Sequence, residues 1–82
     1  MRTETLLAAA LRGDPTAFAA LVDGVRPRMT AVVERMLGDP DEAEDVVQEA
    51  LLRGYVGISQ LRDASRFGGW LCGIGGRIGT GV

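Results

Sequence analysis

Asp39-Pro-Asp-Glu-Ala-Glu-Asp45-Val-Val-Gln-Glu-Ala-Leu-Leu-Arg53-Gly-Tyr55 is the stretch whose reading decides the fold. It holds a helix start, an apolar face and an acidic-amide face. Asp39 is placed to serve as N-cap, Pro40 takes the first helical position, and Glu42 falls three residues after the cap. Ala43, Val46, Val47, Ala50 and Leu51 then recur at helical spacing and form one apolar stripe. Asp41, Asp45, Gln48 and Glu49 lie off that stripe, on the solvent side. On helix physics alone this is a well-capped amphipathic helix with a solvated acidic face. It is expected to run from Pro40 to Tyr55 or Val56, with Gly54 and Gly57 loosening its end.

Upstream, residues from about Thr3 to Arg12 predict a short helix with Leu6, Leu7, Ala10 and Leu11 inward and Gly13 as its stop. Asp14-Pro15 restarts the chain with the chemistry seen again at Asp39-Pro40. From there Phe18, Leu21, Val22, Val25, Met29, Val32, Val33 and Met36 keep one helical face up to Gly38. Pro27 interrupts this segment and removes one backbone hydrogen bond, to the carbonyl of Asp23. The apolar phase continues across it, which predicts one kinked helix and not two separate ones.

Downstream, Ile58 to Ser65 reads as a polar connection containing Gln60, Arg62 and Asp63. Ser65 is a reasonable N-cap for a fourth helix carrying Phe67, Trp70, Leu71, Ile74 and Ile78 on one face. Phe67 and Trp70 share that stripe and are expected mainly in the core. Glycine occupies positions 68, 69, 73, 75, 76, 79 and 81. Each costs roughly 1 kcal/mol relative to alanine in a helix interior. The fourth helix is therefore expected to be weak, frayed or disordered from about residue 75, or formed only on a partner.

Eighty-two residues, 46% apolar and 24% charged, predict one soluble domain over residues 1–82 with a small core. The expected fold class is all-α, a small bundle of three firm helices and the weak fourth. Its core is expected to draw on Leu7, Leu11, Phe18, Leu21, Val22, Val25, Met29, Val32, Val33, Met36, Val46, Val47, Ala50, Leu51, Phe67, Trp70, Leu71 and Ile74. No apolar run reaches spanning length and no secretory signal is evident, so the expected location is the cytoplasm, without membrane contact. The lone Cys72 excludes an internal disulfide, and without histidine no metal cluster or cofactor is expected. No histidine, lysine, phosphate loop or activated nucleophile is present, which argues against an enzyme and a small-molecule substrate. The formal charge of −2 is poorly suited to independent DNA binding, whose affinity comes largely from neutralising phosphates.

The run from Asp41 to Arg53 resembles region 2.2 of bacterial RNA polymerase sigma factors, closest to the extracytoplasmic-function (ECF) group of the sigma-70 superfamily. Gly13 to Val22 with Arg26-Pro-Arg28 is similar to that family's preceding helix, and Leu61 to Ile74 to its approach to the promoter-reading helix. The resemblance covers roughly residues 4 to 75 and implies a sigma region 2-like domain. It implies docking on the clamp helices of the polymerase β′ subunit through Asp41, Asp45, Val46, Gln48, Glu49, Leu52 and Arg53. It implies contacts with promoter DNA, made within the polymerase complex, from Arg26, Arg28, Arg62, Asp63, Ser65, Arg66 and Arg77. In that family the loop matching Ile58–Ser65 captures a base flipped from the non-template strand.

The tail departs from the family pattern. Family members carry Ala, Asn and several basic residues where this chain has Gly75, Gly76, Ile78 and Gly79, and only Arg77 keeps a positive charge there. The expectation for residues 1–82 is a region 2-like domain alone, with no region 4 domain. Alternative expectations are a truncated regulatory module that competes for polymerase or occupies an anti-sigma factor, and a fragment without a present partner.

Overall fold

A computed structural model describes residues 2–81. Four α-helices follow one another: α1 (Thr3–Leu11), α2 (Pro15–Leu37), α3 (Pro40–Gly57) and α4 (Phe67–Thr80). Two 3-10 turns, Ile58–Gln60 and Ala64–Arg66, join α3 to α4, and no strand occurs among the described residues. The all-α bundle is thus the architecture that the periodicity predicts.

The two Asp-Pro pairs act as helix starts. The Asp14 carboxylate accepts from the N–H groups of Thr16 (2.9 Å) and Ala17 (3.3 Å). The Asp39 carboxylate accepts from Asp41 (2.9 Å) and Glu42 (3.3 Å), and Asp41 and Glu42 add negative charge to a first turn whose free N–H groups favour it. α2 ends where Gly38 turns left-handed at φ 72°, its N–H returning to the Glu34 carbonyl, and this sharp reversal lets Asp39 restart the chain. Pro27 lies inside α2, which stays one helix across it.

The long α2 packs against each of the other three helices, and α3 packs on α4. Met29, Val33, Val47 and Leu71 are the large side chains sealed at the centre. Three expected core residues instead reach solvent: Leu11, Val32 and Met36. Val33 is sealed, and Val32, turned about 100° from it around α2, falls at the edge of the buried face with 38% of its surface exposed. Met36 lies along the rim of α4 beside Gly76 and Gly79. Val25, Leu51 and Trp70 are half-buried at the core's edge. Ile58 and Leu61, expected in a polar connection, are buried and anchor the α3–α4 link to the core.

α4 does not stop near Ile74, and the stretch expected to be frayed from about residue 75 is helical to Thr80. The missing side chains bring the helices into close contact. A Cβ at Gly54 would stand 2.6 Å from Leu71 Cδ1, so α3 and α4 touch through glycine. Gly75 fits similarly over Met29 and Val33. Packing of this kind offsets the helix-propensity cost that the sequence alone exposes. The Thr80 hydroxyl closes the last turn at 3.0 Å from the carbonyls of Gly76 and Arg77.

Candidate functional site

Asp41, Asp45, Gln48, Glu49, Leu52 and Arg53 all lie exposed on α3. Positions 41, 45, 48, 49 and 52 follow helical spacing, so they form one continuous stripe. Val46, expected both in the core and as apolar support for this face, is 4% exposed and lies in the core, sharing the inward stripe with Ala43, Val47 and Ala50, so it is not part of the exposed stripe. Leu52, 60% exposed, is the large apolar side chain on the stripe. Glu49 pairs with Arg53 one turn on (3.4 Å), whereas Asp41 and Asp45 join none of the ion pairs among the described residues.

A second surface is assembled from three parts of the chain. Arg28 from α2, Gln60, Arg62, Asp63, Ser65 and Arg66 from the link, and Gly69 and Trp70 from α4 line an open groove of about 920 Å³. Most of the basic residues expected to meet DNA come together here. Trp70, expected mainly in the core, is half-exposed on the groove wall, while Phe67 is sealed beneath at 2% exposure. Phe67 stands between Phe18 and Trp70, with ring centroids 6.2 and 6.1 Å away, and so ties the groove floor to α2.

Two of the expected DNA contacts lie elsewhere. Arg26 is two residues before Arg28, about 200° away around a helix, and reaches α3 instead. Its guanidinium pairs with Glu44 at 3.2 Å, and Gln48 donates to the same Glu44 oxygen at 3.3 Å. Arg77 lines a smaller groove with Glu49, Leu52, Arg53, Val56 and Ile74, on the side of the α3 stripe. Gln60 and Trp70 border both grooves, so the two adjoin. Val56, 76% exposed on this side, carried no signal in the sequence beyond its departure from the apolar stripe.

Ser65 does not cap α4 as expected. It is itself held by Asp63, whose carboxylate accepts from the Ser65 N–H at 3.0 Å and from its hydroxyl at 2.7 Å. Hydrogen bonding from the Ser65 hydroxyl, then from its backbone N–H, and the nearby Arg66 guanidinium hold the Asp63 carboxyl below its ordinary range. Arg66 occupies the position before α4 and provides no side-chain cap. Among the described residues no three potential metal ligands cluster, and no helix is long and apolar enough to cross a membrane.

Comparisons with known proteins place this all-α arrangement and its Asp39–Arg53 stretch in a family. Sigma-70 region 2 matches residues 21–77, and the chain belongs to this family. It is similar to the ECF RNA polymerase sigma factor SigW of Bacillus subtilis, 42% identical over 60 residues, covering 73% of this chain and 32% of the relative. It is also similar to the RNA polymerase sigma-H factor of Pseudomonas aeruginosa, 37% identical over 60 residues, covering 73% of this chain and 31% of that protein. The match spans about a third of the length of these relatives. No solved structure matches the chain.

Proposed function

We propose that this domain binds core RNA polymerase through the exposed stripe of α3 and presents the groove between α2, the link and α4 to the non-template strand of the promoter −10 element. The observation that carries this reading is the α3 stripe: Asp41, Asp45, Gln48, Glu49 and Leu52 share one exposed face of a helix whose sequence matches the sigma region. The partner is the clamp-helix coiled coil of the β′ subunit. Acidic and amide side chains set the encounter rate and orientation, while Leu52 is the apolar anchor that loses water on docking. Val46 acts from beneath by fixing α3 on the core.

The groove supports the second half. Arg28, Arg62 and Arg66 supply phosphate or base-edge contacts, and the half-exposed Trp70 offers an aromatic surface beside them. With a net charge of −2, the domain has little general attraction for DNA and relies on polymerase to bring it to the promoter in the cytoplasm. The test is fluorescence anisotropy of a labelled single-stranded −10 oligonucleotide with core polymerase, with this chain, and with both. Binding that appears only with both supports the reading. Equal binding with and without the chain contradicts it.

A further inference from the structure

The groove is rimmed by arginines yet contains a carboxylate, that of Asp63. A free carboxylate there would repel phosphate. This one is engaged within its own turn. One oxygen accepts both the N–H and the hydroxyl of Ser65 (3.0 and 2.7 Å), and the other stands 3.9 Å from Arg66 Nε. The Asp63 main-chain carbonyl also accepts the Arg66 N–H at 3.0 Å, closing the 3-10 turn Ala64–Arg66. That turn leads directly into Phe67 and α4, and thereby sets the approach of Gly68 to the Arg28 guanidinium.

We propose that Asp63 is a positioning residue of the groove: it locks the turn so that Arg62 and Arg66 stand at fixed places opposite Arg28, and it does not itself touch the strand. This rests on the nucleic-acid reading above and sharpens it. Cations released from a fixed geometry still attract phosphates, because that attraction depends on charge and not on orientation. Discrimination between bases requires donors held in register with base edges. Opening the turn therefore separates the two properties, leaving general affinity and removing preference.

The experiment uses the full chain bound to core polymerase and a short randomised single-stranded DNA pool. The strand best enriched by the wild type is then compared with a scrambled strand of the same composition. Asp63→Ala is expected to bind the scrambled strand as well as the wild type or better, and to lose about tenfold of the preference. Asp63→Asn keeps an oxygen acceptor for Ser65 and is expected to retain preference within about threefold. Ser65→Ala, which keeps the backbone bond and loses the hydroxyl bond, should fall between them. In the free chain, the Ser65 and Arg66 amides should exchange with deuterium faster in Asp63→Ala than in the wild type or Asp63→Asn.

Undiminished preference and unchanged amide exchange in Asp63→Ala would overturn the role given to Asp63 alone. Equal loss in Asp63→Asn and Asp63→Ala would also overturn it, since the charge and not the turn would then be read. A wild-type complex that enriches no strand would overturn the nucleic-acid reading and this inference with it.

Discussion

The α3 stripe and the groove beside α4 are built in opposite ways. The stripe lies within one helix, started by Asp39 and Pro40 and oriented by Ala43, Val46, Val47 and Ala50 against the core. Its face follows from 3.6-residue spacing. The groove depends on Arg28 in α2, a turn closed by Asp63, and an α4 seated through glycine on α3 and α2. A surface written in one helix survives modest damage to tertiary packing. A surface assembled from three segments does not. In this small domain, the proposed docking to polymerase should therefore be sturdier than the proposed reading of DNA.

Perturbing α4 packing is the most forceful way to break that contrast. Leu71→Ala empties a fully buried site and should cost about 2–5 kcal/mol, a large part of a small domain's stability. Urea unfolding would show the midpoint falling accordingly. Gly54→Ala is milder. The new Cβ would meet a Leu71 that has no solvent to retreat into, at a cost of about 1–3 kcal/mol. In this variant strand capture should fall more than binding to polymerase, and equal losses would break the contrast. Gly69→Ala should act in the reverse sense. Nothing lies within 4 Å of its Cβ position, and thermal melting should show a gain of up to about 1 kcal/mol.

The two arginines around Pro27 sharpen the division between the surfaces. Arg28→Ala should weaken strand capture by the polymerase complex and lower its salt dependence by about one unit of slope. Arg26→Ala should leave strand capture unchanged. Its exposed pair with Glu44 should contribute less than about 1 kcal/mol to stability, measured by a double-mutant cycle with Glu44→Ala.

Acid gives the smallest effect. The Asp63 carboxyl is held below its ordinary range, so its contribution to the turn is fully present above the unfolded aspartate value. That contribution is lost as pH falls through the lower folded value. The Ser65 amide shift in an NMR titration should follow this transition, with a midpoint below that of aspartate in an unfolded peptide.

The same division explains what the sequence made legible. The helix starts at Asp14 and Asp39, the single helix through Pro27 and the α3 stripe are local patterns, and the structure reproduces them. Val46 sits inside the motif and also on the apolar stripe, so the sequence points it both to the docking face and to the core, and burial assigns it to the core. The full length of α4 was hidden because glycine propensity is a property of one helix, whereas close approach to Leu71, Met29 and Val33 belongs to several. Arg26 and Arg28 looked alike in sequence, and only their angular separation on α2 sends one to α3 and the other to the groove. Ser65 looked like a cap because its hydroxyl suits that role, but Asp63 claims it first.

The most direct measurement of the central claim is a binding titration of this chain against the isolated β′ clamp-helix fragment, with Asp45→Arg as comparison. Saturable binding by the wild type, abolished by Asp45→Arg while circular dichroism stays unchanged, is the predicted result. Equal affinity of the two chains, or no binding by a folded wild type, would contradict the assignment of α3 as the docking face.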